Sequence, residues 1–300
     1  MLAALLARYG CPVAEIRDAT WEDFDVVFGL LDARSRAAFG ISQQKPEFLR
    51  QVWELPANGK WVAVEGRTVI GYVGLNEAQE LSHTAADPDV GDALLAHAEQ
   101  HAHVRGFDHV AATAVPEDEP LYSSLQRNGY TLDREILRMW RILNGTQPEP
   151  IWADGAAVRA YTDADGERVH ALLDAAYAGW NRDYVARSHE GWLSFMTAHG
   201  DFDPAMWFLV ERDGELVACA LHWKEHQGRG WVKDVVVRES ERGRGLGKAL
   251  LQHGFRAYAA RGADHVGLKV DATNPTGAPQ LYERLGFVTD QRLGIWTKRL

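Results

Sequence analysis

The chain has almost no cysteine, no surplus of basic residues and no long apolar run, and each shortage closes off a class of protein. Its two cysteines, Cys11 and Cys219, cannot staple a framework across 300 residues, so the fold must rest on packed cores and a reducing compartment is expected. Lys and Arg number 32 against 42 Asp and Glu, a formal net charge of −10, and a surface of that sign repels nucleic acid. The apolar stripe in residues 1–10, MLAALLARYG, lacks a basic leader and a small-residue cleavage site and is too short to cross a bilayer. It is read as the terminal helix of a cytoplasmic protein with no membrane partner. His97 and His101 share a helix face at i, i+4, but no Cys joins them or His103 and no HExxH occurs, so a solvated helix face and no metal are expected. What is present, 46% hydrophobic and 25% charged residues, suits two ordinary domains, each with its own core.

The densest local pattern lies in residues 231–251, WVKDVVVRESERGRGLGKALL. Val235, Val236 and Val237 form a β-branched run without alternation, as in a buried strand. Gly243, Gly245 and Gly247 then permit positive φ and leave no Cβ in the path of a ligand. From Lys248 onward the apolar residues Leu250, Leu251, Phe255 and Tyr258 recur with helical spacing. Unpaired amides and the positive end of the dipole make the start of such a helix an anion site, to which Arg238, Arg242, Arg244 and Lys248 add charge. A Walker loop fails here because Ala249 follows Lys248, removing the metal-ligating hydroxyl. A dinucleotide fingerprint fails because GRGLG has the wrong spacing.

What fits is Arg/Gln-x-x-Gly-x-Gly/Ala, met by Arg242, Gly245 and Gly247, and one helix and one strand later comes VDATNPTGAPQLYERLGF, residues 270–287. Together these motifs resemble the acyl-CoA loop and the Asn…Tyr…Gly-Phe segment of the GCN5-related N-acetyltransferases, the GNAT superfamily, over roughly the last half of the chain. The resemblance implies acetyl-CoA as acyl donor, held by Arg242, Gly243, Arg244, Gly245, Leu246, Gly247 and Lys248. It also implies splayed parallel strands that free the main chain of Val235, Val236 and Val237 for the pantetheine arm, with Asn274 holding that arm. Tyr282 matches the family's general acid toward the departing thiolate, and a phenol is protonated at neutral pH. The family's usual carboxylate positions carry Trp231 and Lys233 instead, so the general base falls to Asp234, with His222, Glu225, Asp271 and a water chain as rivals. Strand alternation would turn Asp234 away from the cleft. An acceptor pocket is expected around Trp180, Asn181 and Tyr184, with Asp183 and Trp192 nearby.

The first half is a faint copy of the second. RGFDHV at 105–110 matches RGADHV at 261–266, and hairpin patterns begin at Trp61 and Trp207. Leu121, Tyr122, Gly129 and Tyr130 answer Leu281, Tyr282, Gly286 and Phe287. Where the second half has its glycine loop, the first has SHTAADPDVGDALL, and Asp87, Asp89 and Asp92 stand where an anion would sit. The expected fold is α/β (α+β): two tandem GNAT-like domains, each a mixed, mostly antiparallel sheet, splayed at the acyl-CoA site and flanked by helices. The expected boundaries are 1–145, a degenerate copy without acyl-CoA binding, and 151–300, the catalytic domain, joined by NGTQPEP at 144–150. The tandem layout resembles mycothiol synthase and several small-molecule and antibiotic N-acetyltransferases; Trp231 argues against the mycothiol activity in particular. The expected reaction is acetyl transfer to a primary amine of a metabolite, amino sugar or antibiotic, by a monomer or homodimer. Acetylation of a protein N-terminus or lysine, and a non-catalytic acyl-CoA sensor, are the alternatives.

Overall fold

The computed structural model describes residues 14–40, 46–179, 186–197, 200–226 and 228–300. The expected terminal helix at 1–10 lies outside the described residues. The chain divides into two compact units, Met1–Glu135 with Leu293–Leu300, and Ile136–Arg292.

The first unit runs β1 (Glu15–Asp18), α1 (Phe24–Phe39), α2 (Pro46–Glu54), β2 (Gly59–Glu65), β3 (Thr68–Leu75), β4 (Glu80–Ala85), α3 (Pro88–Val104), β5 (His109–Ala114) and α4 (Glu119–Arg127). A strand that crosses the division, β6 (Thr131–Ile142), leads to the second unit. There follow β7 (Ala157–Ala160), α5 (Gly166–Ala178), α6 (His189–Thr197), β8 (Trp207–Arg212), β9 (Glu215–His226), β10 (Arg229–Val237), α7 (Leu246–Ala260), β11 (His265–Asp271), α8 (Ala278–Arg284) and β12 (Val288–Arg299).

The strand order is the same in both units. The first reads β1-β2-β3-β4-β5 and is completed by the end of β12, Gly294 to Arg299, antiparallel to β5. The second reads β7-β8-β9-β10-β11 and is completed by Ile136 to Ile142 of β6, antiparallel to β11. Each unit therefore ends on a strand encoded in the other half of the sequence, which local pattern cannot show. One parallel pair occurs in each, β4 with β5 and β10 with β11, and the other neighbours are antiparallel. Alternation sends successive residues to opposite faces, and both faces are apolar. Trp207 and Leu209 of β8 meet α5 and α6 through Val169, Leu173 and Trp192, while Phe208 and Val210 meet α7 through Leu250 and Phe255. Trp61 and Val62 of β2 divide likewise between α3 and the pair α1 and α2.

A repeat of spacing Arg-x-x-Thr-x-x-Asp, readable in the sequence, leads from β1 to α1 and from β7 to α5. Arg17 holds Asp23 by two bonds of 2.7 and 2.8 Å, and Asp23 in turn caps Thr20. Arg159 holds Asp165 at 2.7 and 2.6 Å, and Asp165 caps Thr162. The guanidinium bond is the leading cause that brings the Asp23 carboxyl down to about 2. The expectation for α3 needs correction: His97 and His101 are half-buried and face the Trp61 ring at 5.3 and 4.6 Å, so that helix face is not solvated.

Candidate functional site

The second unit's parallel pair opens after four residues. β10 and β11 are in register from Arg229↔His265 to Val232↔Leu268, and beyond Val232 only β9 remains beside β10. At the same point β10 carries a bulge: Val232 opposes His222 and Asp234 opposes Leu221, so Lys233 is an extra residue. A bulge of one residue exchanges the two faces of a strand. Val232 joins the α7 side of the sheet, whereas Val236 joins the side of α5 and α6. Simple alternation therefore misleads for Asp234. Its carboxylate, 7% exposed, accepts a hydrogen bond from Tyr177 Oη of α5, and its Oδ2 lies 3.5 Å from Lys233 Nζ.

Tyr282 of α8 is close enough for the Asp234 charge to act on it: burial first, and that charge second, raise the phenol well above its usual value. It is thereby kept protonated. Among the described residues its hydroxyl has no hydrogen-bond partner. The ring is fixed against Phe287 at 5.7 Å, and the helix is closed by Phe287 N–H donating to the Tyr282 carbonyl at 3.0 Å.

The glycine turn follows β10 directly. Gly243 and Gly245 have φ of 78° and 82°, in the left-handed region, and Gly245 is the N-cap of α7. Gly247 does not share this conformation; it lies inside the helix, where a Cβ would meet Leu281 at an ordinary 3.5 Å. Among the described residues no amide from Gly243 to Lys248 donates to another protein group. They form a run of free donors at a helix N-terminus, the arrangement that holds phosphate. Glu241, two residues before the turn's first glycine, is taken by Arg212 at 2.9 Å and Arg244 at 3.3 Å. Arg242 Nε donates to the Val237 carbonyl at 3.3 Å, and Lys248 is exposed. A cavity of about 540 Å³ adjoins the turn, bounded by Arg168 and Leu172 of α5, by Val237, Arg238 and Arg242, and by Thr276.

Other expected residues fare differently. Asn274 uses its side-chain carbonyl to cap the following turn, accepting from Thr276 N at 3.0 Å and Oγ1 at 2.6 Å. Asp271 is similarly engaged by Thr273, at 2.8 and 2.7 Å. His222 is fully buried on the opposite face from Asp234, and burial, with His253 adding to it, pushes its imidazole down to about 3. Trp231, standing where a carboxylate was sought, packs edge-on against Trp140 at 5.5 Å over Gly267, whose absent Cβ makes room for both rings. Trp180, Asn181, Asp183 and Tyr184 and the side chain of Glu225 lie outside the described residues. Trp192 is a core residue of α6 itself. Sequence reasoning missed Tyr177, whose spacing in α5 matches any apolar core position.

Set against known proteins, residues 167–287 match the model of the acetyltransferase (GNAT) family. The mycothiol acetyltransferase of Streptomyces coelicolor is 30% identical over 307 residues, covering 93% of each chain. The crystal structure of a GCN5-related N-acetyltransferase from Sphaerobacter thermophilus superposes with a TM-score of 0.75 at 26% identity, covering 95% of each chain. A tandem GNAT protein from the clavulanic acid biosynthesis pathway superposes with a TM-score of 0.70 at 17% identity, over 95% of this chain and 98% of that one, and shares the fold.

Proposed function

Because the chain belongs to the GNAT acetyltransferase family, we propose that it moves an acetyl group from acetyl-CoA to a primary amine of a small molecule, using residues 151–300. Residues 1–145 are then a copy without acyl-CoA binding. The observation that carries this reading is the run of free amides from Gly243 to Lys248, next to an opened strand pair where the Asp234 charge acts on the neutral Tyr282 phenol.

Acetyl-CoA, when bound, supplies an acyl carbon activated as a thioester. The amides of 243–248, with Arg242, Arg244 and Lys248, bind the diphosphate. Val235, Val236 and Val237 offer main-chain groups along the edge that β11 has left. Asp234 takes a proton from the incoming ammonium so that its nitrogen has a lone pair to attack with. Tyr282 gives its proton to sulfur as the carbon–sulfur bond breaks, and the second proton that the nitrogen sheds on becoming an amide restores the phenol. Asn274 retains its side-chain amide nitrogen for the cofactor arm, since only its oxygen is used in the turn.

The Streptomyces coelicolor relative favours a mycothiol-type acceptor, and Trp231 in place of a carboxylate weighs against it. Thiol release from acetyl-CoA, measured with D-glucosamine, kanamycin, the amine whose acetylation gives mycothiol and a lysine peptide, decides among small-molecule, mycothiol and protein acceptors. Turnover of none of them, with acetyl-CoA still bound, would leave the sensor reading in its place.

A further inference from the structure

A buried carboxylate needs donors, and among the described residues Asp234 has a single hydrogen-bond donor, Tyr177 Oη. Tyr177 comes from the C-terminal end of α5, across the sheet face that the bulge at Lys233 presents. We propose that Tyr177 is a positioning residue for the transfer: it binds Asp234 Oδ1 and so holds Oδ2 as the oxygen that meets the acceptor amine. The proposal rests on Asp234 being the base.

Among the described residues, the groups facing Asp234 are Tyr177 of α5, Tyr282 of α8, Cys219 of β9 and Lys233 of its own strand. Burial, with the Asp234 charge adding to it, raises Tyr177, Tyr282 and the Cys219 thiol, so all three are neutral. A phenol that does not ionise is a fixed donor and does not compete for the amine's proton. Tyr177 therefore acts on geometry. The first unit has no such residue: twelve positions after its capping aspartate Asp23 stands Ser35, where Tyr177 stands twelve after Asp165.

The test is a double-mutant cycle in the full chain: wild type, Tyr177→Phe, Asp234→Asn and the double variant. Each is assayed for thiol release with the four amines named above and for acetyl-CoA affinity by calorimetry. Tyr177→Phe should lower kcat about tenfold at unchanged acetyl-CoA affinity, since the donor that fixes the carboxylate is gone. In the Asp234→Asn background it should have no further effect. Full activity in Tyr177→Phe, a weakened acetyl-CoA affinity, or losses that multiply in the double variant would overturn the proposal. Turnover as fast in Asp234→Asn as in wild type overturns it by removing the base, with the acetyltransferase reading intact. A wild type inactive on all four amines brings down that reading too.

Discussion

In the first unit Arg34 reaches from α1 to the His83 carbonyl and to the Asp118 carboxylate, just past the point where β4 and β5 stop pairing at Leu81↔Ala112. In the second unit the corresponding opening, past Val232↔Leu268, holds Asp234, Tyr177 and Tyr282. Two residues beyond the last parallel pair stand His83 in one and Asp234 in the other. The anion ends differ as well. Asp87 caps α3 by accepting from Val90 N at 3.0 Å, so a donor at that helix start is served from within the chain. Asp92 turns to Ser124, Arg127 and Asn128 and serves packing. One framework thus yields a cleft that satisfies itself and a cleft with donors to spare. Self-satisfaction adds stability; unpaired donors are where binding free energy can come from.

The acid also belongs to one side only. Tyr122 had been matched to Tyr282 by the shared Leu-Tyr pair, and the structure corrects this. Tyr130 N–H closes α4 on the Leu125 carbonyl at 3.0 Å, as Phe287 N–H closes α8 on Tyr282. The counterpart of Tyr282 is therefore Leu125, while Tyr122 packs on Trp296 at 4.8 Å. Counting from the closing glycine finds it; counting from the Leu-Tyr pair does not.

The difference between the units can be broken most completely at Gly245. A β-branched residue at φ 82° is strained by about 1–3 kcal/mol and adds a Cβ to the donor loop, so Gly245→Val should take acetyl-CoA binding below calorimetric detection. Asp87→Ala in the first unit should leave that affinity alone. Unchanged binding by Gly245→Val would disprove the donor-loop assignment. Next, Tyr282→Phe should reduce turnover about a hundredfold or more with little change in acetyl-CoA affinity, and equal turnover would remove its acid role.

Smaller is the effect of Arg34→Ala, which strands a carboxylate that is 6% exposed. It should destabilise the first unit by about 3 kcal/mol in urea melts while acetyl-CoA affinity holds. A weakened affinity would mean that the first cleft also serves the ligand. Smallest is a response to acid common to both units. Burial, with Arg34 adding to it, lowers His83 to about 4, and His222 is lowered to about 3. Both folded values lie below the usual 6.5, so their stabilising contribution is full above that pH and declines as pH falls through it. At pH 5 each histidine should have withdrawn about 2 kcal/mol relative to pH 8. A urea midpoint that is flat between those pH values would contradict the buried, neutral state of both.

The sequence alone determined the strand, glycine turn and helix at 231–251, because left-handed turns and helix starts demand particular residues within a few positions of each other. It likewise determined the duplication and the loss of the glycine loop from the first half, both of which are local strings. Tertiary structure decided the rest: the exchange of β6 and β12, the bulge that turns Asp234 into the cleft, Arg34 closing the other opening, and Tyr177 behind the carboxylate. These are pairings between residues far apart in the chain. A side chain's neighbours across a sheet depend on register, and one extra residue in β10 is enough to exchange them.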